Sequence, residues 1–325
     1  MKKAISIVLW VVLTIQLFGL NIIASHVDDS VDENRLDNDN IIVKRKDGSE
    51  EIIVPNFGTS SRGTSTNVQQ YAPYIPADLE VDETFARSVS DLSRMASLQS
   101  RIPNNLKVVE AKEFPYTTIG YLTTDSDCGT AFLVGPDLVL TAAHCVFNKK
   151  NNTWATNIKF YFGLNNTKYL STASVATNWS AIYIQQEYVN QSDFNSQYDW
   201  AIIQIDQPAG YSQGWLGFHG CSSQENYKEN MAILGYPNDK DVHVSSRLEV
   251  SEGSFYKVDG NIMRYRMFIV MGMSGGPAVD SNFCVYAINS YSTDSLLFNG
   301  GGYMFGDYLF NMVADALTDS IERWE

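Results

Sequence analysis

The chain has 325 residues, with 23 Lys and Arg against 37 Asp and Glu, for a net charge of −14. Its 44% hydrophobic and 18% charged residues are enough to build a sizeable core, which excludes a mainly disordered protein. The acidic balance argues against a nucleic-acid binder, which needs a cationic face to meet phosphates.

In chain order, Lys2 and Lys3 precede an apolar stretch from Ala4 to about Leu20. The small residues Ala24 and Ser25 then precede the acidic run His26-Val27-Asp28-Asp29. That order predicts a secretory signal peptide over residues 1–25 rather than a retained anchor. No later stretch is long and apolar enough to span a bilayer. The expected product is secreted and extracellular, and meets a membrane only during export.

Residues 26–100 differ in texture, carrying 14 acidic and 7 basic side chains and no cysteine. Short apolar runs such as Ile52-Ile53-Val54 occur without a sustained period, and Gly58–Gln70 reads as a linker. Phe85, Val89, Leu92, Met95 and Ala96 recur at spacings of three and four, predicting a helix within 79–98. The segment is expected to be a partly disordered pro-segment, cut from the rest near Arg94–Arg101.

From about Arg101 the pattern becomes short strands between turns. The candidates are Thr117–Leu122, Gly129–Val134, Asp137–Thr141, Ile158–Phe162, Trp200–Ile205, Met231–Leu234, Ser245–Val250, Met263–Val270, Gly276–Val279 and Val285–Ser290. Gly135-Pro136, Tyr236-Pro237-Asn238-Asp239 and Asp259-Gly260 supply turns. Many short strands with regular turns indicate an all-β sandwich or barrel, without the βα alternation of a parallel sheet. Leu309, Met312, Val313, Ala316, Leu317 and Ile321 then follow helical spacing, predicting a C-terminal helix over Asp307–Arg323.

Cys128, Cys145, Cys221 and Cys284 make an even count in an exported chain, consistent with two disulfides among three pairings. With no CxxC and only His26, His144, His219 and His243, neither a metal site nor a cofactor is expected. Asn151, Asn165, Asn178 and Asn190 begin N-x-S/T sequons, which carry glycans only in a eukaryotic host.

Three motifs carry chemistry. Thr141-Ala142-Ala143-His144-Cys145 puts a histidine just past an apolar strand. A Cys128–Cys145 bond would pin that turn to the preceding strand and stabilise by about 3 kcal/mol in the chain-entropy model. Asp199 opens the apolar strand Trp200–Ile205, where its carboxylate needs a partner such as an imidazole N–H. Gly272-Met273-Ser274-Gly275-Gly276-Pro277 presents a serine among glycines, with the Gly272 and Ser274 amides free to converge on an oxyanion. Each motif alone is ordinary; their coincidence in one exported β-rich chain is specific.

These residues resemble the secreted trypsin/chymotrypsin-fold serine peptidases, most closely the bacterial glutamyl endopeptidase (V8-like) branch. The resemblance covers about Arg101 to Glu325 and rests on Cys128-Gly129-Thr130-Ala131-Phe132, the TAAHC run, Tyr198-Asp199-Trp200-Ala201, Leu234-Gly235-Tyr236-Pro237 and GMSGGP. It implies a peptidase domain over 101–325, built as two six-stranded antiparallel β-barrels. It further implies a His144–Asp199–Ser274 triad with an oxyanion hole at Gly272 and Ser274. Ser290 falls where the backbone lines the substrate cleft.

Met273 replaces the aspartate that the trypsin branch uses for activation. Ile269 and Asn289 stand at the threonine and histidine positions with which the glutamyl branch holds a carboxylate. With Val270 they predict a neutral or apolar residue before the cut, Glu ranking second, Arg266 being the one nearby cation that could favour acid. Cys221–Cys284 is left as the second disulfide. Protein or peptide substrates are expected, with a monomeric enzyme. The rival readings are a non-catalytic binding protein on the same scaffold and a serine esterase, which the His–Asp–Ser order disfavours.

Overall fold

The computed structural model describes residues 40–55, 70–95, 106–125, 127–220, 230–238, 247–292, 300–304 and 306–325. The expected signal peptide, residues 58–69 of the expected linker, and Cys221 lie outside these residues, while Gln70 at the linker's end opens a short strand.

Two antiparallel β-barrels form the body. The first contains Ile119–Thr123, Cys128–Leu133, Leu138–Thr141, Lys159–Phe162 and Ala201–Ile205. Its sixth strand is the bent segment Val175–Thr177 and Trp179–Gln185, interrupted only at Asn178, whose first part pairs with Lys159–Phe162 and whose second pairs with Ala201–Ile205, which closes the barrel. The second barrel is a closed ring of Pro277–Val279, Asn230–Gly235, Glu249–Asp259, Ile262–Arg266, Gly300–Met304 and Cys284–Ser292. Nine of the ten strands expected from the sequence have a counterpart here; of Ser245–Val250 only Glu249 and Val250 are strand, the start of Glu249–Asp259, and residues 245–246 lie outside the described ones. The C-terminal helix runs from Asp307 to Trp324 and is latched to the first barrel through the buried Asp137 carboxylate, which accepts from Ser320 and Arg323.

Burial explains why these segments adopt strands. Leu122, Ala131, Val139, Phe160, Ile182 and Ile203 fill the interior of the first barrel. Met231, Ile233, Met263, Tyr265, Met273 and Ala287 fill the second. A third cluster joins the barrels through Phe132, Trp200, Leu234 and Val285, and takes in Leu309 and Val313 of the C-terminal helix. Buried area of this kind stabilises by about 25 cal/mol per Å².

The segment before the body is also ordered against it. Ile41–Arg45 and Glu50–Ile53 form a hairpin that extends the first barrel's sheet through Trp179–Gln185. Gln70–Tyr71 pairs with Gly217–His219, which in turn pairs in parallel with Cys284–Ser292. The predicted helix spans Glu83–Met95; Asp82 opens it by accepting from the Thr84 amide at 2.8 Å.

Candidate active site

His144 lies in a single 3₁₀ turn, Ala143–Cys145, directly after the buried strand Leu138–Thr141. Asp199 precedes Ala201–Ile205, the neighbouring strand, so strand pairing brings the two residues together. The Asp199 carboxylate is fully buried and accepts from the His144 backbone amide at 2.9 Å. Its other oxygen lies 2.8 Å from His144 Nδ1 and also accepts from the Ser290 hydroxyl. These three donors meet the solvation need of a buried carboxylate. Burial is the largest single influence and works against a charged His144 ring, but the Asp199 carboxylate and, less strongly, Cys145 together outweigh it. The ring is held well above its ordinary 6.5.

Ser274 comes from the second barrel, in the turn before Pro277–Val279. Residues of both barrels fix its loop. From the first, the Thr130 hydroxyl donates to Gly272 O at 2.8 Å and the Thr130 amide to Ser274 O at 2.8 Å. From the second, Asn289 Nδ2 donates to Met273 O at 2.8 Å and the Gly275 amide donates to Asn289 O at 2.8 Å. Gly272 and Gly275 adopt φ of +89° and +82°, which favours glycine. A Cβ at Gly275 would lie 2.1 Å from Thr141 Oγ1, and one at Gly272 would lie 2.4 Å from Tyr236 O. The loop amides of Met273, Gly275 and Gly276 donate to backbone carbonyls. Those of Gly272 and Ser274 have no acceptor among the described residues, which leaves them for an incoming oxygen.

The residues expected to meet substrate are placed differently from one another. Ile269 and Val270 are each 3% exposed and belong to the second barrel's apolar core. Asn289 is turned inward, its amide engaged by Met273 O and the Tyr265 hydroxyl. Ser290 reaches Asp199 with its side chain, a contact that its position in Asn289-Ser290-Tyr291 does not announce. Arg266 is exposed and stacks over Tyr256 at 4.9 Å. Thr130 was visible only as part of a motif, and its hold on both sides of Met273 is a product of barrel-to-barrel packing.

The expected Cys128–Cys145 disulfide is not formed in this structure, and the second expected pair, Cys221–Cys284, includes a residue outside the described ones. Cys128, Cys145 and Cys284 are free thiols. Cys128 Sγ accepts from Asn238 Nδ2 at 2.8 Å, whereas Cys145 Sγ turns to Ser274 O at 3.7 Å, so the two sulfurs serve different partners. Cys284 Sγ is buried and accepts from Gln70 Nε2 at 2.9 Å; the partner expected for it, Cys221, lies outside the described residues.

A cavity of about 430 Å³ opens beside His144, with Asp125, Phe147, Lys149, Trp154 and Phe194 on its walls. Phe194 meets the His144 ring edge-on at 5.9 Å and is half-exposed, walling the ring on the solvent side.

Residues 129–288 match the family model described as a trypsin-like peptidase domain. A glutamyl endopeptidase from Bacillus licheniformis is 24% identical over 225 residues, 66% of this chain and 66% of that protein. A Bacillus subtilis protein named an extracellular metalloprotease is 29% identical over 140 residues, 41% of this chain and 43% of its own length. The chain thus spans just under two thirds of the first of these relatives and less than half of the second. Among the described residues, no group of three His, Cys, Asp or Glu side chains is arranged to hold a metal ion. A solved glutamyl endopeptidase structure superposes with a TM-score of 0.57 at 25% identity, covering 65% of this chain and 95% of that one.

Proposed function

Residues 129–288 are a trypsin-like peptidase domain, and on that premise we propose that this chain is a secreted serine endopeptidase, made as a zymogen, which cleaves peptide bonds through an acyl-enzyme. Ser274 Oγ attacks the scissile carbonyl. His144 accepts the serine proton and returns it to the leaving amine. Asp199 fixes the imidazole with Nδ1–H toward itself and stabilises the imidazolium that forms. The Gly272 and Ser274 amides hold the oxyanion, each contributing about 3–4 kcal/mol to the transition state. No metal or cofactor is needed for these steps.

One observation carries the reading: a fully buried carboxylate grips both the backbone and the ring of His144, beside a glycine-flanked serine loop pinned from both barrels. A structural histidine has no need of that double hold. A non-catalytic binding protein on the same scaffold has no observation in its favour.

The residue before the cut is proposed to be neutral or apolar, with Glu second. Support comes from Ile269 and Val270, which give that wall no charge, and from Asn289, whose amide is already engaged. Arg266 is occupied over Tyr256 instead of facing inward. A substrate carboxylate brought there would lose water without a cation to replace it.

The test is cleavage of a diverse peptide pool by the matured enzyme beside a Ser274→Ala control, read by mass spectrometry. Cuts that vanish in the control are expected, mostly after neutral residues. Equal cleavage by Ser274→Ala would refute the mechanism, and predominant cuts after Glu would refute the pocket assignment alone.

A further inference from the structure

The chain before the peptidase body reads in sequence as something to be discarded, yet it is built into the folded molecule at three places. At the first barrel, five consecutive residues from Ile41 to Arg45 pair with Gln185 to Ala181. Ile41 and Val43 are 0% and 1% exposed and belong to the cluster that joins the barrels. At the second barrel's edge, Tyr71 stacks on Phe218 at 4.8 Å and Tyr74 on Trp215 at 4.1 Å. On its outer face, helix Glu83–Met95 buries Phe85 and Val89. Phe85 stacks on Phe283 at 5.7 Å, Ser88 donates to Glu252 at 2.7 Å, and Tyr116 donates to Asp82 at 2.7 Å.

The strands gripped are those that carry the site. Trp179–Gln185 pairs with Ala201–Ile205, the strand that Asp199 introduces, and Gln185 accepts from Trp200 Nε1 at 3.3 Å. Gly217–His219 pairs with Cys284–Ser292, which holds Asn289 and Ser290. Helix Glu83–Met95 packs on Asn230–Gly235, the partner of Pro277–Val279 just past Ser274. The cavity beside His144 is lined by residues between 124 and 194, and no described residue of the N-terminal segment enters that lining. Among the described residues, the segment therefore does not cover the opening beside His144. Its departure would bare Phe218, Trp215, Phe283 and the face of Trp179–Gln185 to water.

We propose that residues 40–55 and 70–95 are a permanent strap of the active enzyme, the first stretch packed on the His144–Asp199 barrel and the second on the Ser274 barrel. A cut between Met95 and Leu106 then leaves two chains that stay together without a covalent link. The retention of the segment is argued from packing alone; that the molecule it holds together is an active enzyme rests on the serine-peptidase reading.

The test uses the full secreted chain as Ser274→Ala, which has no nucleophile with which to process itself. Trypsin would nick the stretch between Met95 and Leu106, where Arg101 is the one basic residue. Native mass spectrometry and size exclusion then read the product. The expected result is a one-to-one complex of both pieces. A C-terminal piece that elutes alone and folded would overturn the proposal. Phe85→Ala is expected to release the fragment from nicked protein at least tenfold more readily than Ile52→Ala, which alters a side chain 57% exposed; equal release from both would also overturn it. In parallel, mature wild-type enzyme labelled at its serine with a fluorophosphonate should carry the fragment, and labelled enzyme lacking it would sink the strap. A failure to label at all would count against the serine mechanism instead, with the Ser274→Ala result still deciding the strap.

Discussion

The two barrels contribute to the candidate site in different ways. The first supplies charge, in a buried Asp199 carboxylate and a His144 ring whose protonation it governs. The second supplies shape, in a neutral glycine loop whose carbonyls are tied down by Asn289 and Thr130. Each barrel also reaches into the other's half. Ser290 of the second donates to Asp199 of the first, and Thr130 of the first donates to Gly272 of the second. Pulling the barrels slightly apart would therefore damage both halves at once. That gives a strap spanning both barrels a catalytic consequence even though it does not line the cavity beside His144.

The sharpest way to break the charged half is Asp199→Asn. The amide keeps the shape but removes the anion and presents a donor where the ring needs an acceptor. We expect kcat to fall about 10⁴-fold, with KM nearly unchanged, in steady-state kinetics on a peptide cleaved by the wild type. A loss under tenfold would show that the first barrel's charge is not what drives the reaction.

The matching change in the shaping half is Asn289→Ala. It removes the side-chain donor to the Met273 carbonyl, which keeps the Gly276 amide, and the side-chain acceptor of the buried Tyr265 hydroxyl, at a cost of about 1 kcal/mol per lost bond. The loop relaxes, and a displacement of about 1 Å in a reacting group lowers the rate on the order of 10²-fold. Thermal melting and kcat should fall together in this variant. If melting falls and kcat holds, Asn289 supports the fold without positioning the nucleophile.

The same division marks what could be read before the fold was known. The first barrel's charged residues stand in short motifs at strand ends, so TAAHC and Tyr198-Asp199-Trp200 reveal them locally. Strands with one wet face alternate and are legible. Ile41, Ile42 and Val43 are all buried, leaving no alternation to detect. Gly300–Met304 is a strand because Ile262–Arg266 and Cys284–Ser292 flank it, against the poor strand propensity of three successive glycines. The roles of Thr130 and of the Ser290 hydroxyl depend on contacts between residues more than 90 positions apart or on different barrels, and no local pattern encodes them.

Ser290→Ala makes the smallest change and separates charge from shape most finely. Its hydroxyl shares the Asp199 oxygen that faces His144 Nδ1, and by donating there it weakens the pull of that oxygen on the ring. Removing it should raise the His144 pKa further, because the Asp199 oxygen then gives its full negative charge to the ring. Catalysis needs the neutral ring, so the acid limb of kcat/KM lies above 6.5 in the wild type and moves up in Ser290→Ala. In Asp199→Asn the limb moves down, since the anion that raises the ring is gone. Stability runs the other way: the folded-state ring binds its proton more tightly than the unfolded one. Its contribution is complete below about pH 6.5 and is lost as pH rises through the folded value. The enzyme therefore gains its working base over the same interval in which it gives up that stabilisation. Activity and melting followed across this interval should show opposed slopes in the wild type. The opposition should vanish in Asp199→Asn; if it survives there, the raised pKa has another source than the first barrel's carboxylate.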